Sequence, residues 1–216
     1  SLHNPHDICH VPRRPGEYAR ADELESLPPL PTNFEIAEDE PEFLAEKRLM
    51  DHYGDELLLT KDYTPEDWQA YLYHYYRFTE MVDREIGKVM QALKSKGLDD
   101  NTIVVLTSEH GDGAAAHRWA AKLSLYDEAA TVPFIIRWTG QIPSGRINRD
   151  QLVSGMDLAP TLLDYARVEN NVQFTGKSLK PVLEDPRKKL RDYVVVQLAD
   201  DKLDSSRHAR LIRNRR

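Results

Sequence analysis

The run Thr102-Ile103-Val104-Val105-Leu106-Thr107, followed by Ser108-Glu109-His110-Gly111-Asp112-Gly113, decides the fold of this 216-residue chain. Its first half is short, β-branched and apolar with no alternation. That pattern predicts a strand covered on both faces, as in a parallel or mixed sheet inside an α/β layer. Its second half places a carboxylate, an imidazole and two glycines at the carboxyl end of that strand, where sites in open α/β sheets lie. A carboxylate beside an imidazole can hold a metal dication. Gly111 and Gly113 would let the backbone approach a bound group without a Cβ clash. Taken alone, the same residues equally describe a solvated turn.

Working outward, Val132-Pro133-Phe134-Ile135-Ile136-Arg137-Trp138 reads as a second strand, with Pro133 at its start. Leu123 to Ala130 is a short helix candidate between the two. Upstream, Thr64 is an N-cap, Pro65 suits a first helical turn, and Glu66 and Asp67 favour the positive end of the dipole. Trp68, Leu72, Tyr75, Tyr76, Val82, Ile86, Met90 and Leu93 recur at helical spacing until Gly97 stops the helix. Its aromatic run, Tyr71 to Tyr76, reads as core plus rim rather than a binding stripe. Downstream, Asp157 caps a helix reaching Ala166, and Tyr193 to Leu198 pairs with Ala209 to Arg213 as an antiparallel hairpin. Strand and helix alternation gives α/β.

Seven of the 13 prolines lie in Ser1 to Pro41, so that stretch is expected to be irregular, with Leu27-Pro28-Pro29-Leu30-Pro31 as an extended surface strap. Asp51-His52-Tyr53-Gly54-Asp55 reads as a solvated turn. His3, His6 and His10 cluster in sequence and could form a zinc clip, although their spacing fits no helix face with a following Cys/His pair. The lone Cys9 excludes an internal disulfide framework.

Composition narrows the function. Hydrophobic residues are 40% and charged residues 30%, as in soluble globular proteins, and no run approaches the ~20 apolar residues of a membrane span. The net charge of −7 argues against broad nucleic-acid binding. The stretch Arg187 to Arg216 carries ten Lys/Arg against four Asp and reads as a solvated basic face. No phosphate cradle of the G-x-x-x-x-G-K type is present. The first ten residues lack the basic start and apolar core of a targeting segment, and with no initiator Met the chain is expected to open inside a longer protein.

Further motifs follow the Glu109-His110 pair in order: His117, Lys122, Tyr126-Asp127-Glu128-Ala129-Ala130-Thr131-Val132-Pro133, Ile135-Ile136-Arg137-Trp138, Ile142-Pro143-Ser144-Gly145, Leu152-Val153-Ser154, and Asp157 to Asp164. Together, from Asp83 to Leu183, they resemble the sulfatase family, whose members carry T-S-D-H-G, a His, a Lys and Y-E-x-A-x-R-V-P at these spacings. Asn4-Pro5-His6 matches the family's P-H segment. The resemblance implies an alkaline-phosphatase-like α/β fold: a mixed β-sheet sandwiched by helices with a small C-terminal antiparallel sheet, in this chain as an incomplete domain. Residues 1–186 would be the C-terminal portion of the catalytic domain, and 187–216 the start of the small subdomain.

The resemblance also assigns roles. Glu109 stands where the family has a metal-binding Asp, and its extra methylene carries the carboxylate about 1.5 Å further. His110 stands where a His, Asn or Gln completes the metal site. The family metal is usually Ca2+; an imidazole ligand also suits Zn2+ or Mn2+. Lys122 matches the lysine that contacts sulfate, His6 the histidine near the leaving oxygen, and His117 a histidine at the pocket rim. A dication and an ammonium stabilise the charge that builds as a sulfate ester breaks, and an imidazole can protonate the leaving alkoxide. Either His6 or Lys122 could be the general acid.

The family's C-x-P-x-R nucleophile motif, whose Cys or Ser becomes formylglycine, is not matched by Cys9-His10-Val11-Pro12-Arg13, where the proline falls one place late. The expectation is therefore a sulfuric ester hydrolase acting on a sulfated small molecule or glycan. Its N-terminal half would supply the nucleophile, so that this chain alone is not expected to turn over. It would have neither nucleic-acid partner nor membrane span, and would be periplasmic or secreted as family members commonly are. A metal-dependent phosphatase or phosphodiesterase of the same superfamily, and a non-catalytic relative that binds sulfated glycans, are the alternatives.

Overall fold

The computed structural model describes residues 2–49, 56–169, 171–198 and 208–214. The turn expected at Asp51 to Asp55, and part of the basic C-terminal stretch, lie outside the described residues. The chain packs as two compact units. The first is formed by Ser1–Ser95 with His110–Val132, the second by Lys96–Glu109 with Pro133–Arg216.

The first unit is helical: α1 (His10–Arg13), α2 (Glu42–Lys47), α3 (Glu56–Leu59), α4 (Pro65–Ser95) and α5 (Asp127–Ala130). Helix α4 starts where the capping signal placed it. The Thr64 N–H donates to Asp67 Oδ2 (2.9 Å) and the Asp67 N–H donates to Thr64 Oγ1 (3.2 Å), a reciprocal cap. The left-handed Gly97 (φ +65°) ends it. The first two turns bury Trp68, Tyr71 and Leu72 in one cluster with Ile8, Phe34, Ala115 and Ala120. Val82, Ile86, Met90 and Leu93 are half-buried, so the apolar stripe continues but its cover thins. Tyr71 is core, while Tyr76 is exposed. The proline-rich strap lies along this helix: Gln69 Nε2 donates to the Pro28 carbonyl (2.7 Å), and His74 Nε2 meets the Ala19 carbonyl (2.9 Å). A second cluster joins Leu44, Leu57 and Trp119.

The second unit holds β1 (Val104–Thr107), β2 (Phe134–Arg137), α6 (Leu158–Ala166), α7 (Lys180–Glu184), β3 (Tyr193–Leu198) and β4 (Ala209–Asn214). Strands β1 and β2 pair antiparallel, from Val104↔Arg137 to Thr107↔Phe134. Continuous apolar sequence predicted cover on both faces, but all four β1 residues are half-buried and Ile135 is 57% exposed. Their β-branched side chains are thus suited to more neighbours than this two-stranded sheet provides. The late hairpin forms as expected, β3 pairing β4 from Tyr193↔Asn214 to Leu198↔Ala209.

Asp157 differs from its expected role. It is fully buried, and its carboxylate accepts from the Ser154 N–H (2.8 Å), the Lys177 N–H (2.8 Å) and Arg191 Nη2 (2.5 Å). It therefore closes the 3-10 turn Gly155–Asp157 that precedes α6 instead of capping α6 itself. One turn later Thr161 Oγ1 donates to the Asp157 carbonyl (2.6 Å) and accepts from the Leu179 N–H (2.8 Å), tying α6 to the start of α7.

Candidate active site

Most of the predicted site residues lie in the first unit, on the loop from His110 to Lys122. Ala114, Ala115, His117, Arg118, Ala121 and Leu123 all have positive φ, between 45° and 71°. Left-handed backbone in non-glycine residues costs about 1–2 kcal/mol each, so this loop holds its shape only because its surroundings impose it. Ala115, Ala116, Trp119 and Ala120 are at most 3% exposed and supply the anchoring. The same conformation reduces the helix expected over Leu123 to Ala130 to the single turn of α5.

The two glycines of the motif serve this packing. A Cβ on Gly111 would lie 1.9 Å from the Glu128 carbonyl oxygen, and one on Gly113 would lie 2.3 Å from that of Trp119. Their N–H groups donate to Ala129 O (2.9 Å) and Ala121 O (2.8 Å). The close approach they permit is to the protein's own backbone, which corrects the expectation that they make room for a bound group.

His110 is half-buried, and its Nδ1 faces the Gly111 carbonyl at 2.7 Å. That carbonyl can only accept, so Nδ1 donates to it, and in the neutral ring the lone pair is on Nε2. Metal-binding histidines are oriented in this way. Glu109 belongs to the second unit, where it is exposed and its Oε2 accepts from Ser108 Oγ (3.0 Å). A carboxylate and an imidazole are each donor types that a dication accepts; Ca2+ takes 6–8 oxygens, so a Ca2+ site needs more oxygen donors than these two side chains supply.

Between His110 and His117 lies Asp112, which the motif contains but to which sequence reasoning gave no role. It accepts from the Ala114 N–H (2.8 Å) and from Tyr71 Oη (3.2 Å). Burial nevertheless pushes its pKa up to about 6.

His117 is held from every side. Asn33 Nδ2 donates to Glu128 Oε1 (2.8 Å) and lies 3.2 Å from His117 Nε2. Nε2 therefore accepts, and the ring proton sits on Nδ1, which is buried with no hydrogen-bond partner among the described residues. The imidazole stacks on Tyr126, with centroids 4.0 Å apart and an 11° tilt. Its backbone N–H donates to Asn33 O (2.7 Å), and its carbonyl accepts from Arg48 Nη2 (2.7 Å). Arg48 also donates to the Arg118 carbonyl (2.9 Å), pairs with Glu40 (2.7 Å), and lies over the Trp119 ring at 4.8 Å. Tyr126 Oη completes the circuit by donating to Glu40 Oε1 (2.7 Å). Burial opposes ionisation of Glu40, but the bonds from Arg48 and Tyr126 outweigh it and hold its pKa below the ordinary value of 4.5. Asn33 and Glu128 also line a cavity of about 410 Å³ with Leu30, Leu72, Tyr76 and Ala116.

Lys122 is half-buried, and its carbonyl accepts from Trp119 Nε1 (3.1 Å). His6 is exposed on the N-terminal 3-10 turn His6–Cys9. That turn and the 110–122 loop pack on one core cluster, through Ile8 on one side and Ala115 and Ala120 on the other. Sequence reasoning missed Asn33, Glu40, Arg48 and Glu128. Only Glu128 lay within a recognisable motif; the others come from the irregular strap and a short helix, which carry no periodic signal.

The model of the Sulfatase family matches residues 3–168, an interval that contains His6, Glu109, His110, His117 and Lys122. The chain belongs to the sulfatase family. Over 197 residues it is 33% identical to the Delta 4,5-hexuronate-2-O-sulfatase of Bacteroides thetaiotaomicron, covering 89% of this chain and 40% of that protein. A solved 2-O GAG sulfatase superposes with a TM-score of 0.81 at 30% identity, over 98% of this chain and 46% of the other. A phosphonate monoester hydrolase from Silicibacter pomeroyi superposes with a TM-score of 0.69 at 27% identity, over 90% of this chain and 41% of the other. The chain thus spans less than half the length of these relatives, and its fold is part of an alkaline-phosphatase-like α/β domain. Among the described residues no helix is long and apolar enough to cross a membrane.

Proposed function

We propose that this chain serves a sulfuric ester hydrolase that cleaves a sulfate ester on a glycan, with a 2-O-sulfated uronic acid as the first substrate class to try. The observation that carries the reading is the family match across residues 3–168 together with 33% identity to a hexuronate 2-O-sulfatase. Overall one water is consumed as sulfate ester and water become alcohol and sulfate: a nucleophile attacks sulfur, the ester S–O bond breaks, and the leaving oxygen takes a proton. Lys122 presents fixed positive charge to the sulfate oxygens, and His6 delivers the proton to the leaving oxygen, with Lys122 as the alternative donor. His117, whose Nε2 accepts from Asn33, shapes the pocket rim in the family pattern. Glu109 and His110 contribute one oxygen and one nitrogen to a divalent metal, Ca2+ in the family pattern, which would polarise the ester.

We place the formylglycine nucleophile and the other metal ligands on a segment N-terminal to Ser1, so that turnover requires both parts. Residues 1–186 then form the catalytic portion and 187–216 open a small antiparallel subdomain, consistent with the β3–β4 hairpin. A periplasmic or secreted location follows the family habit.

A second reading, phosphonate or phosphate ester hydrolysis, is favoured by the likeness to a phosphonate monoester hydrolase. The test is hydrolysis of an aryl sulfate and an aryl phosphonate monoester by the complete protein, with and without Lys122→Ala. The first reading expects aryl sulfate to be preferred and its kcat/KM to fall by about 10²–10³ in the variant, the usual loss for one electrostatic contact. Unchanged sulfate hydrolysis would remove Lys122 from the mechanism. Preference for the phosphonate would select the second reading, and metal binding without turnover would leave a glycan-binding relative.

A further inference from the structure

The N-terminal turn of the first unit gathers donor groups, with Asp7 in the place that the sequence cluster gave to His10. The His6 N–H donates to the His3 carbonyl (3.1 Å), which folds the chain back and brings the two imidazole rings to 5.0 Å between centroids. Asp7 follows on the same turn. One ligand atom from each of His3, His6 and Asp7 lies within 4.8 Å of the other two. His10, grouped with His3 and His6 by sequence, is outside this set; its Nδ1 lies 3.9 Å from Cys9 Sγ.

We propose that His3, His6 and Asp7 bind one transition-metal dication of the zinc class, in a site whose ligands are distinct from Glu109 and His110. Three atoms at most 4.8 Å apart can all lie within about 2.8 Å of a common point. Each must therefore move by only about 0.7 Å to reach the 2.0–2.1 Å bonds of zinc to nitrogen and oxygen. Both histidines are exposed and Asp7 is half-buried, so side-chain rotation achieves this without moving the bonded backbone. Two imidazoles and one carboxylate select Zn2+, Ni2+ or Cu2+ over Ca2+ or Mg2+. Three protein ligands leave a fourth position for water or an anion. One consequence rests on the function proposed above: His6 cannot hold this dication and protonate a leaving group at once, so the metal would compete with catalysis. The site itself does not depend on that function.

The experiment is calorimetric titration of the 216-residue chain with Zn2+, and visible absorbance with Co2+ as the spectroscopic substitute. One equivalent is expected to bind, with d–d bands of a four- or five-coordinate centre. His3→Ala and Asp7→Asn, both replacements on an accessible turn, should each weaken Zn2+ binding at least tenfold with far-UV circular dichroism unchanged. His3→Gln guards against a packing effect and should behave as His3→Ala. Lys122→Ala and Cys9→Ser should bind as the parent does. Absence of saturable binding, affinity indifferent to His3 and Asp7, or loss on Cys9→Ser would overturn the proposed ligand set. Should the complete protein hydrolyse no sulfate ester while Zn2+ binding still depends on His3 and Asp7, the metal site stands and the sulfatase reading falls.

Discussion

Asp157 in the second unit and Asp112 in the first both accept backbone N–H groups in sheltered positions, but they are completed differently. Asp157 gains a guanidinium from Arg191 and two backbone donors, and with Thr161 it fixes α6, α7 and the approach to β3. Asp112 gains a phenol from Tyr71, and among the described residues it forms no ion pair with Arg or Lys; burial lifts its pKa to about 6. The first is a closed polar joint. The second is a carboxyl under tension inside a loop of left-handed residues, next to the motif histidine. Stability is concentrated around Asp157 and given up around Asp112, as expected where a surrounding core holds a strained functional loop in place.

The largest effect should come from opening the closed joint. Asp157→Ala strands a guanidinium that is only 11% exposed and leaves two backbone donors unsatisfied. Breaking a buried pair by removing one partner costs about 3–5 kcal/mol. Urea unfolding followed by circular dichroism should show that loss, and hydrogen exchange should show it centred on residues 154–183. A loss below about 1 kcal/mol would mean that Asp157 is no more a fold determinant than a surface carboxylate, and the contrast with Asp112 would dissolve.

How far the sequence revealed this arrangement depends on the kind of signal. The α4 cap at Thr64, its stop at Gly97 and the β3–β4 hairpin were legible because propensity, periodicity and terminus chemistry agree there. The family was legible through the order and spacing of the motifs that contain Glu109, His110, His117 and Lys122. The glycines were misread because a tight turn looks the same whether it faces a ligand or the Glu128 and Trp119 carbonyls. Burial of β1 on both faces was overestimated because composition records which neighbours a strand is suited to, not those in its own chain. Arg48, Glu40 and Asn33 were invisible because each acts over about 70 to 95 residues of sequence separation from segments without regular pattern.

A smaller effect should follow from loosening the loop from outside. Arg48→Met keeps the apolar stem over Trp119 but removes the donors to the His117 and Arg118 carbonyls and the partner of Glu40. Arg48 is 16% exposed and Glu40 7%, so the pair is partly screened. A cost of about 2–3 kcal/mol is expected, within the range of charged hydrogen bonds. The amides of residues 113–121 should exchange faster with solvent while those around Asp157 do not. Uniform acceleration through both units would show that the loop is not a separately stabilised element.

The smallest effect, and the most specific, is in pH. Glu40 has its pKa held below the ordinary value of 4.5 in the folded state by Arg48 and Tyr126, against its burial. Its carboxylate therefore adds stability that is complete above about pH 4.5 and is lost as pH falls through the lower folded value. Glu40→Gln keeps the shape and one acceptor oxygen but has no proton to gain. At pH 7 it should be less stable than the parent by about 1–2 kcal/mol, since a charge-assisted bond becomes a neutral one. As the pH is lowered toward 3 the parent loses this advantage while the variant does not, so their unfolding midpoints should converge. A gap that stays constant from pH 7 to 3 would assign the effect of Glu40 to packing. Convergence would show that charge on this one carboxylate, passed through Arg48 to two peptide carbonyls, helps keep His117 and Arg118 in their left-handed conformation.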